Sequence, residues 1–404
     1  MSDGPAQQQP AQQQPAQKPA QQTAQQTAGT APPAAPKTAA AGSRRIDRFL
    51  KLTADRGASD LHISCGRPPM LRRSGRLEAV RYRVIDERDF EVLMKPATPE
   101  ANWSQFEERG DADFAYEVEG LARFRVNLFR QQRGPGAVFR LIPSQIMTLT
   151  DLGLPDSLRT LLDLKAGLVL VTGPTGSGKS TTLAAILHEI NQRRPLHFIT
   201  IEDPIEFVHE NHRCLISQRE LGTHTPSFAH ALRMALREDP DAILVGEMRD
   251  LETIEIALGA ADTGLLVFGT LHTNSAAKTI DRLVSVFPAS RSDEVRGVLS
   301  SVTRGIVAQQ LLPRKEGGRV AAVELLLTTP ALVSSIREGK SHQIPDIISG
   351  GKKQGMVAMD ESLRALVEDD VVEPQDALDK ALDKDSMRRF LKERGAELAA
   401  DIEE

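Results

Sequence analysis

The chain has 404 residues, 40% hydrophobic and 26% charged, with 50 Lys and Arg against 55 Asp and Glu for a formal net charge of -5. That length corresponds to about two or three domains, and the mildly acidic balance gives no global reason to expect nucleic acid or an anionic membrane as the main partner. Two cysteines, Cys65 and Cys214, cannot supply a tetracysteine zinc site within one chain, and no apolar run reaches the ~18 residues of a membrane-spanning helix.

Residues 1–43 are built mostly from Gln, Pro, Ala and Thr, and Asp3, Lys18 and Lys37 are their charged residues. So little apolar surface cannot offset chain entropy, which predicts a disordered tail. There is no apolar stretch of the signal-peptide kind, so the expected location is cytoplasmic. From Arg44 the composition changes. Residues 45–55 read as an amphipathic helix, with Ile46, Phe49, Leu50 and Leu52 apolar. Short strand-like pieces follow at Asp60–Ser64, 69–72, 113–117, 122–129 and 136–142, with a helix over 86–95. These predict an α+β domain over 44–145 and a linker from Pro143 to Pro155.

Beyond Leu158 the chain alternates strands and helices, the pattern of a parallel sheet with covering helices. The short apolar runs 168–172, 197–201, Ala242–Val245 and 265–269 suit buried parallel strands. From about Ser290 the pattern reads as mostly helical. The expectation is a second, α/β domain over 152–390 with a helical C-terminal part, then an acidic tail over 391–404.

The first apolar run leads into Gly173-Pro174-Thr175-Gly176-Ser177-Gly178-Lys179-Ser180-Thr181. This is the G-x-x-x-x-G-K-[ST] pattern, placed between a strand and a helix as its mechanism requires. Glycines let backbone N–H groups wrap phosphate, Lys179 reaches the outer phosphates, the Ser180 hydroxyl suits Mg²⁺, and the following helix points its N-terminus at the anion. ATP and Mg²⁺ are therefore the expected ligands. Glu247 follows the run Ala242–Val245, beside the phosphate loop, where a carboxylate orients water or holds a metal-bound water. Glu202, Asp203 and Glu206 follow 197–201 and bring three carboxylates within five residues, which favours a nearby cation. Spacing does not choose between Glu202 and Glu206. His272 follows 265–269, where an imidazole can sense the γ-phosphate or contact a neighbouring chain.

These four elements, in this order, resemble the secretion and pilus ATPase superfamily. Within it the chain is most similar to the retraction ATPases of type IV pili, the PilT family. The resemblance rests on 57–62 (Gly-Ala-Ser-Asp-Leu-His), 122–127 (Ala-Arg-Phe-Arg-Val-Asn), 168–183, 199–209, 238–257, 266–283 and 339–343. It implies a PAS-like N-terminal domain, a RecA-like P-loop domain and a homohexamer with ATP between domains and between subunits. It implies an inner-membrane platform protein as partner, an assembly ATPase as antagonist, and peripheral association with the inner membrane at the pilus base. Matched by motif, Glu206 is the catalytic glutamate, Glu247 the Walker B glutamate and His272 the second histidine of the His box. Arg125 and Arg140 sit at the family's arginine positions, with Arg123 as a neighbour on the same strand face. A planar guanidinium can neutralise charge on a transferring phosphoryl group.

Two departures stand out. The family's Thr-Gly-His is Thr263-Gly264-Leu265 here, and its Ala-Ile-Arg-Asn-Leu-Ile-Arg-Glu is replaced by 331–338, Ala-Leu-Val-Ser-Ser-Ile-Arg-Glu. They put the coupling of hydrolysis to retraction in question and open the reading of an ATP-binding accessory paralogue. An assembly ATPase would carry the tetracysteine site that two cysteines cannot form.

Overall fold

The computed structural model describes Met1, residues 44–73, 76–142 and 146–396, and Leu398. The expected tail after Met1, residues 143–145 of the expected linker and nearly all of the chain past Ala396 lie outside the described residues.

The first elements are α1 (Asp47–Asp55), β1 (Asp60–Ser64), β2 (Met70–Arg73), β3 (Arg76–Ala79), α2 (Glu87–Met94), α3 (Glu100–Arg109), β4 (Asp111–Val118), β5 (Ala122–Gln131) and β6 (Gly134–Ile142). The strands form one antiparallel sheet in the order β3-β2-β1-β6-β5-β4. Alternation sets its faces: Phe124, Val126 and Leu128 of β5 are buried, while Arg123 and Arg125 point the other way. The Asp86 side chain caps α2 by accepting from the Asp89 amide at 2.7 Å. β3 and α3 carry weak patterns. Arg-Leu-Glu-Ala leaves β3 largely exposed, and α3 buries Phe106 alone.

A second sheet follows from β7 (Gly167–Thr172), α4 (Lys179–Arg193), β8 (His197–Glu202), β9 (Leu215–Glu220), α5 (Phe228–Ala235), β10 (Ala242–Val245), α6 (Leu251–Asp262), β11 (Leu266–Leu271), α7 (Ala276–Ser285), α8 (Ser292–Val302), β12 (Thr303–Pro313) and β13 (Arg319–Leu327). Its order is β13-β12-β7-β11-β10-β8-β9. Neighbours are parallel except β13, which runs antiparallel to β12. Every residue of β7, β10 and β11 is buried, as expected of strands covered on both faces.

The mostly helical expectation beyond Ser290 is corrected here, because β12 and β13 are long strands. Their hairpin signal is present in the sequence: Arg314-Lys-Glu-Gly317-Gly318, with both glycines at positive φ (96° and 80°). Helices do follow: α9 (Pro330–Arg337), α10 (Ile344–Gly350), α11 (Met359–Glu368), α12 (Pro374–Lys380) and α13 (Lys384–Glu393). α13 passes residue 390 and buries Leu391, so ordered packing extends into the expected acidic tail. The edge strand β9 carried only a short apolar signal, Leu215 and Ile216, and its fully buried residue is Glu220.

Candidate functional site

The phosphate loop lies where β7 ends and α4 begins. Gly173, Gly176 and Gly178 have φ of 145°, 77° and 89°. Gly173 also permits a close approach: a Cβ there would lie 2.2 Å from the Gln309 carbonyl oxygen and 2.5 Å from Ser177 Oγ. Gln309, buried on β12, supports the loop from below, and its Oε1 accepts from Thr182 Oγ1 at 2.7 Å. Thr172 Oγ1 and Ser177 Oγ are buried without a hydrogen-bond partner among the described residues. Pro174, Thr175, Gly176 and Ser180 are exposed, with Thr181 half-buried. Lys179 Nζ donates to the carbonyls of Gly173 and Pro174 at 2.9 and 3.1 Å. Burial lowers the Lys179 ammonium pKa, and the carboxylates of Glu247 and Glu206 work against that shift.

A cavity beside this loop is lined by Ser180, Glu202, Glu206, Gly246, Glu247 and Thr270, among others. The parallel register explains the meeting, because β8, β10 and β11 end side by side. Gly246 lets the chain turn at that edge: its N–H donates to Ile201 O at 2.7 Å, and a Cβ would lie 2.9 Å from the same oxygen. Thr270 Oγ1 closes the turn by donating to Gly246 O at 2.5 Å.

Glu247 is bound by two cations or donors. Its Oε1 meets His272 Nε2 at 2.5 Å and receives Arg249 Nε. Burial acts to raise its carboxyl pKa, but the hydrogen bonds from Arg249 and His272 prevail and hold it below the ordinary value. Glu202 differs. It accepts from Thr200 Oγ1 at 2.6 Å and Gln218 Nε2 at 3.2 Å, and burial raises its carboxyl despite these bonds. Glu206 is half-buried and lines two spaces: the cavity beside Ser180 and a crevice shared with Gly120, Ala122, Arg123 and Ile142 of the first sheet.

Lys179, Ser180, Glu206, Glu247 and His272 are thus brought together. Arg125 and Arg140 do not line the cavity. They are cross-strand neighbours on β5 and β6. Arg140 Nε donates to the buried Asp60 at 2.9 Å, while Arg125 is exposed. Arg123 instead joins the two sheets, with Nη2 3.0 Å from Glu220 Oε2. Leu265 precedes β11 at the end opposite His272, and its side chain packs on the core. The seven-residue step at about 3.3 Å per residue separates it from His272 by roughly 20 Å. Arg249, Gln218 and Glu220 escaped the sequence reading. Gln218 and Glu220 carried one usable signal, polar side chains two apart on a strand.

A family model described as "Type II/IV secretion system protein" matches residues 43–331. The type IV pilus retraction ATPase PilT of Pseudomonas aeruginosa is 50% identical over 336 residues, 83% of this chain and 98% of that protein. The chain belongs to the PilT family of pilus retraction ATPases. A twitching motility protein of Neisseria gonorrhoeae is 47% identical, over 79% of this chain and 86% of its own. Among solved structures, the pilus retraction motor PilT with bound ADP has a TM-score of 0.80 at 44% identity, covering 85% of this chain and 98% of that one. The PilT-like chain is therefore an α/β nucleotide-binding ATPase. Among its described residues no helix is long and apolar enough to cross a membrane.

Proposed function

We propose that this chain is a hexameric motor that couples ATP hydrolysis to type IV pilus retraction and so drives twitching. Its first sheet with α1–α3 serves as the PAS-like domain, and the seven-stranded part serves as the RecA-like domain. The observation that carries the reading is the convergence of Glu206 and Glu247 on Lys179 at the end of the phosphate loop. The glycine conformations and the unpartnered hydroxyls of Thr172 and Ser177 fit a phosphate-binding cradle.

In this reading residues 173–181 hold the phosphates of ATP, and Lys179 exchanges its bonds to the loop carbonyls for the outer phosphates. Ser180 would hold Mg²⁺, which supplies charge neutralisation on the phosphate oxygens when bound. Glu206 faces the cavity less encumbered than Glu202 and acts as general base toward water. Glu247, kept ionised by Arg249 and His272, orients that water. Arg125 and Arg140, set side by side on the first sheet, reach the phosphates of an adjacent subunit, which makes activity depend on the ring. The partners are the inner-membrane platform protein and an antagonistic assembly ATPase. Nucleic acid has no part, and the enzyme works at the cytoplasmic base of the pilus.

The departures at Leu265 and 331–338 support a second reading, an ATP-binding accessory paralogue of the motor. Gene deletion separates the two: excess surface pili with lost twitching supports the motor, and unchanged retraction supports the paralogue.

A further inference from the structure

Glu220 is the last residue of β9, opposite Glu202 in the parallel register. Its side chain is only 6% exposed, yet it carries a carboxylate. Burying such a charge is costly unless donors surround it, and three do. Oε2 accepts from the Ile205 amide at 3.1 Å and from Arg123 Nη2 at 3.0 Å, and Oε1 accepts from Thr223 Oγ1 at 3.1 Å. The Glu220 backbone is itself fixed: its amide donates to His224 Nδ1 at 3.0 Å, and its carbonyl accepts from the His224 amide at 2.8 Å.

Two of these partners matter for hydrolysis. Ile205 immediately precedes Glu206. Arg123 comes from β5 of the other sheet, whose crevice Glu206 also lines. One oxygen therefore ties the Glu206 loop to the position of the first sheet. Two residues earlier on the same strand face, Gln218 pins the far side of that loop. Its Nε2 donates to Phe207 O at 2.8 Å and its Oε1 accepts from the His209 amide at 2.8 Å. If Arg123 withdraws, the buried carboxylate loses its cation and its hold on Ile205 is no longer charge-balanced.

We infer that Glu220 is a positioning residue. Held by Arg123, it sets Glu206 for hydrolysis and makes turnover depend on the docking of the six-stranded sheet against the edge of the seven-stranded one. This rests on Glu206 as the general base.

The experiment uses the full-length chain and measures kcat, KM for ATP and the thermal midpoint for Glu220→Gln, Arg123→Gln and Arg123→Lys, alone and in a Glu206→Gln background. Small displacements of a reacting group cost turnover steeply, so Glu220→Gln and Arg123→Gln should each lower kcat by about tenfold or more, with KM within about twofold. Arg123→Lys should recover much of the loss because it restores the cation. Added to Glu206→Gln, Glu220→Gln should lower the residual rate no further, because its effect passes through Glu206. An equal further fall in that background overturns the proposal, as does wild-type kcat in Glu220→Gln. If Glu220→Gln does not fold, the same comparisons made with Arg123→Gln decide. Full turnover in Glu206→Gln alone overturns the base assignment instead.

Discussion

Replacing Gly173 by Ala tests the geometry of the phosphate loop without touching a charged group. An added Cβ would meet the Gln309 carbonyl oxygen at 2.2 Å and Ser177 Oγ at 2.5 Å, with φ at 145°. Gln309 O belongs to a buried strand and cannot swing aside, so the loop itself must shift by about 1 Å. Conformational strain at such a φ costs about 1–3 kcal/mol, and overpacking costs about 1–3 kcal/mol more. Taking the low end of each, about 2 kcal/mol against the binding-competent loop weakens ATP about 30-fold. Gly176→Ala is the control. Its φ is 77° but no atom lies within 4 Å of the added Cβ. It bears only the left-handed penalty of about 1 kcal/mol, or about fivefold. Calorimetric titration with ATP, alongside thermal midpoints, measures both. Equal affinities for the two variants, or wild-type affinity in Gly173→Ala, would refute the close-approach argument.

Glu247→Gln should keep ATP binding and cut hydrolysis by about 10²-fold or more, read by a binding titration beside a steady-state rate. Its depressed pKa carries a signed pH dependence: the stability it contributes is present above the ordinary value of 4.5 and is lost as pH falls through the lowered one, a dependence absent from the variant. Glu324 has the opposite sign. Burial raises its carboxyl above 4.5 against the amides of Ala276 and Met359, so its contribution is greatest below 4.5 and declines as pH rises through the raised value. Glu324→Gln should remove that decline in chemical denaturation. Glu324→Ala should cost about 2–4 kcal/mol by leaving those amides without an acceptor. Mixing Arg140→Ala with Lys179→Ala subunits should restore part of the ATPase rate, and no restoration at any ratio would show that the arginine does not act across subunits. Arg at 333 and Asn at 334 fall on half-buried and exposed positions of α9, so restoring them should change retraction in cells while leaving the solution ATPase rate and midpoint unchanged.

The phosphate loop was legible in the sequence because its chemistry is local. Glycine at fixed spacing, one lysine and one hydroxyl between an apolar run and a helix specify a cradle wherever the loop is placed. The buried strands β7, β10 and β11 were legible for a similar reason, since strands covered on both faces must be apolar throughout. Amphipathic and polar edges gave less away. β9 carries its burial on Glu220, β3 and α3 bury little, and the hairpin of β12 and β13 fell within the stretch beyond Ser290 that reads as mostly helical. The sequence also named Glu202 and Glu206 without ranking them from spacing. The tertiary structure separates their environments, because Thr200 and Gln218 hydrogen-bond Glu202 while Glu206 lines both the cavity and the crevice toward the first sheet. It alone decides that Arg123 ends on Glu220 and that Arg140 is paired with Asp60. Each of these depends on register between strands distant in the chain, and register is set by packing across the whole sheet rather than by any residue's neighbours in sequence.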